Sequence, residues 1–283
     1  MQQVYTINDL PKFSKWPEIL LGSNMRSERN IGDIHREFEK EKWGSLLNSI
    51  KNLNKPFTIE EVDDLYVKSD TKVLAYQNHD LKLVSFKETQ KVYMDIVAET
   101  IQPYINECSA IVDLGCGYGS IILKLAARQA FKKIPLYAAD YSLSGIAIAQ
   151  KVADHNNIHL RTGLCNFLDT DLLKFDIPNG ALLFTSYSMC YQKKYPNGFI
   201  SNLIKYKPAR VINFEPCYEH FDATTLWGLL GRRYIEYNHY NIDILSYFKE
   251  QERINKIRID DIKPFVHGVN PLLIASIFNW RPL

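Results

Sequence analysis

From Ala110 onward, five short apolar runs follow one another: "AIVDL", "PLYAAD", "IHLRTG", "GALLFTSY" and "RVINFE". Helical patterns separate them. Residues 120–128 form the first, and Ser142 caps a second in which Ile146, Ala149 and Ala153 recur at spacings of three and four. Runs this short and apolar read as strands buried on both faces. Strands alternating with helices require right-handed crossovers, and hence a doubly wound α/β sheet that is mostly parallel. Two more strand candidates, "KIRIDDI" and "LLIASIFNW", close the chain after a helical insertion at about 222–255. Seven strands are therefore expected.

The first hundred residues are of another kind. "NIGDIHREFEKEKWGSLLNSIKNL" is charged, with apolar positions at helical spacing. Thr58, followed three residues on by Glu61, has the form of a capping box. Residues 87–104 place Val92, Ile96, Val97, Ile101 and Tyr104 on one helical face. With few strand signals here, the expectation is a helical appendage over 1–105 in front of a core over 106–283. "WPEILLGSNMRSERN" is expected to fold over the crevice as a lid.

The 34 basic and 32 acidic side chains leave a net charge of +2. That argues against a nucleic-acid partner, which calls for a marked basic excess, but not against a protein one; the partner expected is a small-molecule substrate. Five cysteines, with no Cys-x-x-Cys pair, read as reduced thiols of a cytoplasmic protein rather than a disulfide frame or metal site. No run approaches the ~18 apolar residues of a membrane helix. The 17 tyrosines exceed what core packing suggests, so some are expected to line a pocket. Oligomeric state is left open, a homodimer included.

The segment that carries chemistry is "AIVDLGCGYGSII", with Asp113 ahead of Gly115, Gly117 and Gly119. In an open α/β sheet, ligands sit outside the carboxyl ends of the strands. Glycines there allow a sharp turn and a close ligand approach, and the next helix aims its free N–H groups at the same place. A dinucleotide loop is spaced Gly-x-Gly-x-x-Gly; this one is not. Asp113 suits an ammonium group better than a pyrophosphate. Asp140 ends the second strand, where a carboxylate accepts both ribose hydroxyls.

"VDLGCGYG" followed by "YAADYS" resembles the class I, Rossmann-like S-adenosylmethionine-dependent methyltransferases, over about residues 88–283 with the specific motifs within 113–167. The resemblance implies S-adenosylmethionine as cofactor and an antiparallel last strand. It implies that Asp113, Gly115, Cys116, Gly117 and Gly119 hold the methionine end, that Asp140 binds the ribose, and that Tyr141 packs on adenine. Asn166 and Phe167 stand where the family usually has an acidic residue and an apolar one. Ser186 and Tyr187, ending the fourth strand, would border the sulfonium.

Methyl transfer needs a base only when the nucleophile carries a proton that must leave. "NFEPCYEHF" offers Glu215 and His220 as catalytic candidates, with Tyr187, and Tyr218 and Glu219 as substrate contacts. "GRRYIEYNHYN" adds Tyr234, Tyr237, Asn238 and Asn241 at helical spacings on one face, alternatively a tyrosine stripe packing on the N-terminal helices, and Arg232 and Arg233 as contacts for a substrate carboxylate or phosphate, alternatively a solvated pair. "TSYSMCY" lacks the Asn/Asp-Pro-Pro-aromatic motif of enzymes that methylate adenine in DNA. The reading is a methyltransferase acting on oxygen or nitrogen of a small polar metabolite or natural product, tilted slightly toward an amine by the acidic and tyrosine-rich stretches. An RNA or protein methyltransferase, an inactive methyltransferase-like subunit and a nicotinamide-dependent oxidoreductase are the alternatives.

Overall fold

The computed structural model describes residues 4–22, 27, 30–53, 55–67 and 70–283. Helices α1 (Trp16–Gly22), α2 (Ile31–His35), α3 (Trp43–Lys51) and α4 (Ile59–Tyr66) come first, with a π-helix at Arg36–Lys42 joining α2 to α3. Thr58 caps α4 as its sequence implies: its hydroxyl accepts the Glu61 N–H, and Glu61 accepts the Thr58 N–H. Strands β1 (Lys72–Gln77) and β2 (Asp80–Ser85) follow, then α5 (Phe86–Ile101). The alternating core is β3 (Ile111–Leu114), α6 (Ser120–Ala127), β4 (Leu136–Asp140), α7 (Leu143–His155), β5 (Leu160–Leu164), β6 (Leu182–Ser186), α8 (Phe199–Ile204) and β7 (Arg210–Pro216). Helices α9 (Leu226–Tyr237) and α10 (Ile244–Arg253) precede β8 (Ile257–Gly268) and β9 (Ala275–Pro282).

Among the described residues these strands form one sheet in the order β2-β1-β8-β9-β7-β6-β3-β4-β5. The β3–β4, β3–β6, β4–β5 and β6–β7 pairs are parallel, and β9 runs antiparallel to both β7 and β8. The expected seven strands are thus corrected to nine, and the N-terminal region is not purely helical. The extra two are the β1–β2 hairpin, which joins the edge through Tyr76–Gly268 and Gln77–His267. Its turn, Asn78-His79, has φ of 52° and 67°, the left-handed pair that a type I′ hairpin needs. Without a glycine in that turn, the hairpin left a weak signal.

Strands β3 and β4 are buried along their whole length. Alternate side chains enter opposite layers: Ile111 packs with Val97, Ile101 and Ile148, while Val112 and Leu114 pack with Leu203 and Phe248. The α5 stripe is rotated from the expected one. Thr89, Tyr93, Met94, Val97, Ala98 and Ile101 are buried, whereas Val92 and Ile96 are only half-buried. No helix among the described residues is long and apolar enough to cross a membrane.

Candidate active site

The three glycines after β3 adopt positive φ, 76° at Gly115, 58° at Gly117 and 81° at Gly119. A side chain at Gly115 would lie 2.4 Å from the Ser188 Cβ, so the loop after β3 abuts the loop after β6. Backbone bonds set its path: Gly115 and Cys116 both donate to the Ala139 carbonyl, at 2.7 and 3.0 Å. The Asp140 carboxylate accepts from the Gly117 N–H and the Ser142 N–H, each at 2.8 Å. One acidic side chain at the end of β4 thereby orders both the glycine loop and the start of α7.

A cavity of about 430 Å³ opens on this loop, bordered by Gly115, Cys116, Gly117, Asp140, Tyr141, Asn166, Phe167, Ser186 and Tyr187 among others. Gly119 stands just behind, at the N-cap of α6. Asp113 is 1% exposed, and neither carboxylate oxygen has a hydrogen-bond partner among the described residues. Burial, with Asp140 nearby, pushes its pKa well above the usual carboxylate range. An unpartnered buried carboxylate is costly in its charged form, which is why burial favours the protonated acid there. Asn166 borders the cavity, but its oxygen already accepts the Leu168 N–H and its amide donates to Asp169.

The N-terminal helices cover this cavity. Phe38, Lys42, Trp43, Asp63 and Tyr66 line it. Glu39 accepts from the Ser142 and Ser144 hydroxyls at 2.7 and 2.8 Å, and Tyr141 donates its hydroxyl to the Ile34 carbonyl. Asp63 accepts from Tyr118, Ser120 and Lys124. Among the described residues the cover is made by residues 34–53 and 55–66, and none of the described part of "WPEILLGSNMRSERN" lines the cavity. Of that stretch, residues 23–26 and 28–29 lie outside the described residues. Its helix α1 packs elsewhere, Trp16 lying against Tyr234 and Tyr237 of α9 at 4.6 and 6.1 Å.

The acceptor-side expectations need correction, because none of their residues except Tyr187 lines the cavity. Glu215 is fully buried and accepts from the N–H groups of Ser188, Met189 and Cys190 at 3.0–3.2 Å. His220 bonds to Ser276 at 2.8 Å and stacks on Phe278. Glu219 caps α10 through Leu245 and Ser246, and Tyr218 donates to Glu236. Tyr234 and Tyr237 pack on α1, Arg233 stands half-buried on α9, and Asn241 braces Gln192 and Asp243. Tyr187 does border the cavity, in a left-handed conformation with φ of 49°. Its hydroxyl donates to the carbonyls of His267 and Leu273, so its ring rather than its oxygen faces a ligand.

Sequence reasoning missed Tyr93 and His267. The Tyr93 hydroxyl meets the Ser186 hydroxyl at 2.5 Å, and its ring stacks on His267 with centroids 5.0 Å apart. His267 is 1% exposed, its Nε2 stands 2.8 Å from the Thr89 hydroxyl, and its Nδ1 has no partner among the described residues. Thr89 and His267 lie 178 positions apart, and no local pattern announces such a pair.

Burial drives the His267 pKa down from the ordinary 6.5 to about 4, a backbone hydrogen bond at Thr89 acting the other way. Its contribution to stability is complete at neutral pH and is lost as pH falls from 6.5 through 4. Burial raises Asp140 from 3.8 to about 6, against hydrogen bonds from Ser142 and Gly117. The folded state there takes up a proton before the unfolded one, so that contribution grows as pH falls. The slopes oppose one another, and removing the histidine exposes the other. Relative to the native sequence, His267→Asn is expected to be roughly 2–3 kcal/mol more stable at about pH 4.5 than at about pH 7.5, measured by urea denaturation. A difference that does not change with pH would contradict this.

No family model and no curated protein matches the sequence. Solved structures do match in shape. The [4+2]-cyclase SpnF aligns over 92% of this chain and 99% of its own, with TM-score 0.58 and 14% identity. Magnesium protoporphyrin IX methyltransferase from Synechocystis PCC 6803, solved with bound SAH, covers 90% and 100%, with TM-score 0.55 and 14% identity. Geranyl diphosphate C-methyltransferase from Streptomyces coelicolor A3(2) covers 87% and 99%, with TM-score 0.50 and 14% identity. The chain has the class I methyltransferase fold. A cyclase among these neighbours means that the reaction must be argued from the site.

Proposed function

We propose that the chain binds S-adenosylmethionine in the cavity and transfers its methyl group to an oxygen or nitrogen of a small polar metabolite or natural product. The observation that carries this is a loop of positive-φ glycines, Gly115 and Gly117 bordering the cavity, with the Asp140 carboxylate at its edge. Asp113 lies buried behind that loop, its oxygens without a hydrogen-bond partner among the described residues. Gly115 and Gly117 border the cavity at positive φ, where a Cβ would meet Ser188 and Trp43, and Asp140 keeps acceptor capacity for ribose hydroxyls beyond its two backbone bonds. Tyr141 and Phe167 offer ring faces to adenine, and Ser186 and Tyr187 border the sulfonium. Phe38, Trp43 and Tyr93 add aromatic surface to the lining, which favours a cation.

When bound, the sulfonium supplies an already activated methyl group, so the protein's part is to align the nucleophile and exclude water. The cover formed by residues 34–53 and 55–66 serves the second task. At about 430 Å³ the cavity stands near the lower end of small-molecule pockets, roughly 300–1,000 Å³. With the cofactor in place only a small acceptor fits, which favours a metabolite over RNA or a protein side chain on a folded surface. The tilt toward an amine rested on Glu215, Glu219 and the tyrosines of α9; both carboxylates are taken by backbone N–H groups and the tyrosines pack on α1, so the proposal keeps oxygen and nitrogen on equal terms.

Titration calorimetry with S-adenosylmethionine and S-adenosylhomocysteine tests the cofactor assignment. Both are expected to bind with micromolar Kd. If neither binds in that range, the proposed function is wrong.

A further inference from the structure

We infer that the His267 imidazole accepts the acceptor's proton at Nδ1 during methyl transfer, which makes the acceptor a neutral nucleophile bearing an O–H or N–H. This rests on the methyl-transfer reading above. The ring borders the cavity and is almost wholly buried. One nitrogen is engaged, Nε2 with the Thr89 hydroxyl at 2.8 Å, and the other is free of partners among the described residues. With the proton held on Nε2 toward Thr89, Nδ1 keeps its lone pair for a ligand. Stacking on Tyr93 restrains the ring, and Tyr93 in turn is bonded to Ser186 at the carboxyl end of β6. Ser188, two residues further, abuts Gly115. A short chain of contacts thus runs from the glycine loop to the free nitrogen.

Several other titratable groups around the cavity are engaged. Asp140 is held by two backbone N–H groups, Asp63 accepts from Tyr118, Ser120 and Lys124, Tyr187 donates its hydroxyl to carbonyls, and the Tyr93 hydroxyl is taken by Ser186. Asp113 is buried and does not border the cavity. In the step itself, a lone pair of the acceptor's oxygen or nitrogen forms the bond to the methyl carbon. The carbon–sulfur bond breaks, and its electron pair stays on sulfur, which becomes a neutral thioether. The acceptor's proton passes to Nδ1, and the imidazolium releases it to water.

Two measurements decide the matter without knowing the acceptor. The first is long-range proton–nitrogen NMR on 15N-histidine-labelled protein at neutral pH, the His267 signals being assigned by their loss in His267→Asn or, should that variant not fold, His267→Gln. A neutral ring with the proton on Nε2 is expected; a proton on Nδ1 would overturn the inference. The second is a crystal structure of the native protein with S-adenosylhomocysteine. Nδ1 is expected to face the sulfur across about 6–8 Å, leaving room for one nucleophilic atom between them and the methyl. A bound S-adenosylhomocysteine whose sulfur points away from Nδ1 would overturn the proton-acceptor role and leave the cofactor assignment standing. Failure of S-adenosylhomocysteine to bind would instead remove the reading on which the role rests.

Discussion

Replacing Glu215 with alanine is expected to lower the unfolding free energy by about 3–5 kcal/mol. Among the described residues the carboxylate is the acceptor for three consecutive backbone donors: Ser188, Met189 and Cys190 all aim at it as the chain turns after β6. The side chain is 0% exposed, so water cannot replace it, and each abandoned N–H keeps its desolvation penalty. Glu215→Gln retains one acceptor oxygen but turns an amide N–H₂ toward the donors, and a smaller loss, about 1–3 kcal/mol, is expected. Guanidinium denaturation of both variants gives the numbers. Because Glu215 stands off the cavity, Glu215→Gln is expected to bind S-adenosylhomocysteine about as well as the native chain. A variant that keeps native stability yet loses turnover would return Glu215 to the reaction.

Replacing Asp140 with alanine is expected to weaken cofactor binding by about 2–3 kcal/mol, the value of losing charge-assisted hydrogen bonds to ribose hydroxyls. The structure adds a second consequence. Asp140 also orders Gly117 and Ser142, so alanine loosens the loop as well as removing the contact. Asp140→Asn separates the effects: the amide oxygen still accepts a backbone N–H, while the negative charge is gone. Burial holds the Asp140 pKa up at about 6, so at about pH 8 the ligand-free protein carries a disfavoured charge. Asparagine keeps one of the two backbone bonds and turns its amide N–H₂ toward the other donor, so thermal denaturation is expected to show Asp140→Asn less destabilised than Asp140→Ala, with calorimetry showing weakened binding. Unchanged affinity in both variants would remove Asp140 from the ribose site.

The two halves of the site were unequally legible. The turn at Gly115, Gly117 and Gly119 was readable because a positive φ is a local demand that glycine meets best, and Asp140 at the end of β4 because strand ends are locally marked. The acceptor side was not. Glu215 and His220 look alike on paper as polar residues at the end of a strand. Burial and partners decide what they do, and those come from Ser188–Cys190 in one case and from Ser276 and Phe278 in the other. The tyrosines of α9 follow the same rule: their spacing admitted a pocket wall or a packing stripe, and α1 made them a stripe.

Sequence alone determined the alternating α/β core and the cofactor-side loop, since both are written in short-range terms: apolar runs of strand length, helical spacing, a cap, three glycines. Only the tertiary structure decided the rest. It placed an Asn-His hairpin on the free edge of β8, brought residues 34–53 and 55–66 over the cavity, left Asp113 without a hydrogen-bond partner among the described residues and stood His267 between Thr89 and Tyr93. Backbone conformation is set by neighbours in the chain, whereas the chemistry of a side chain is set by neighbours in space, and for His267 the nearest of those is 178 residues away.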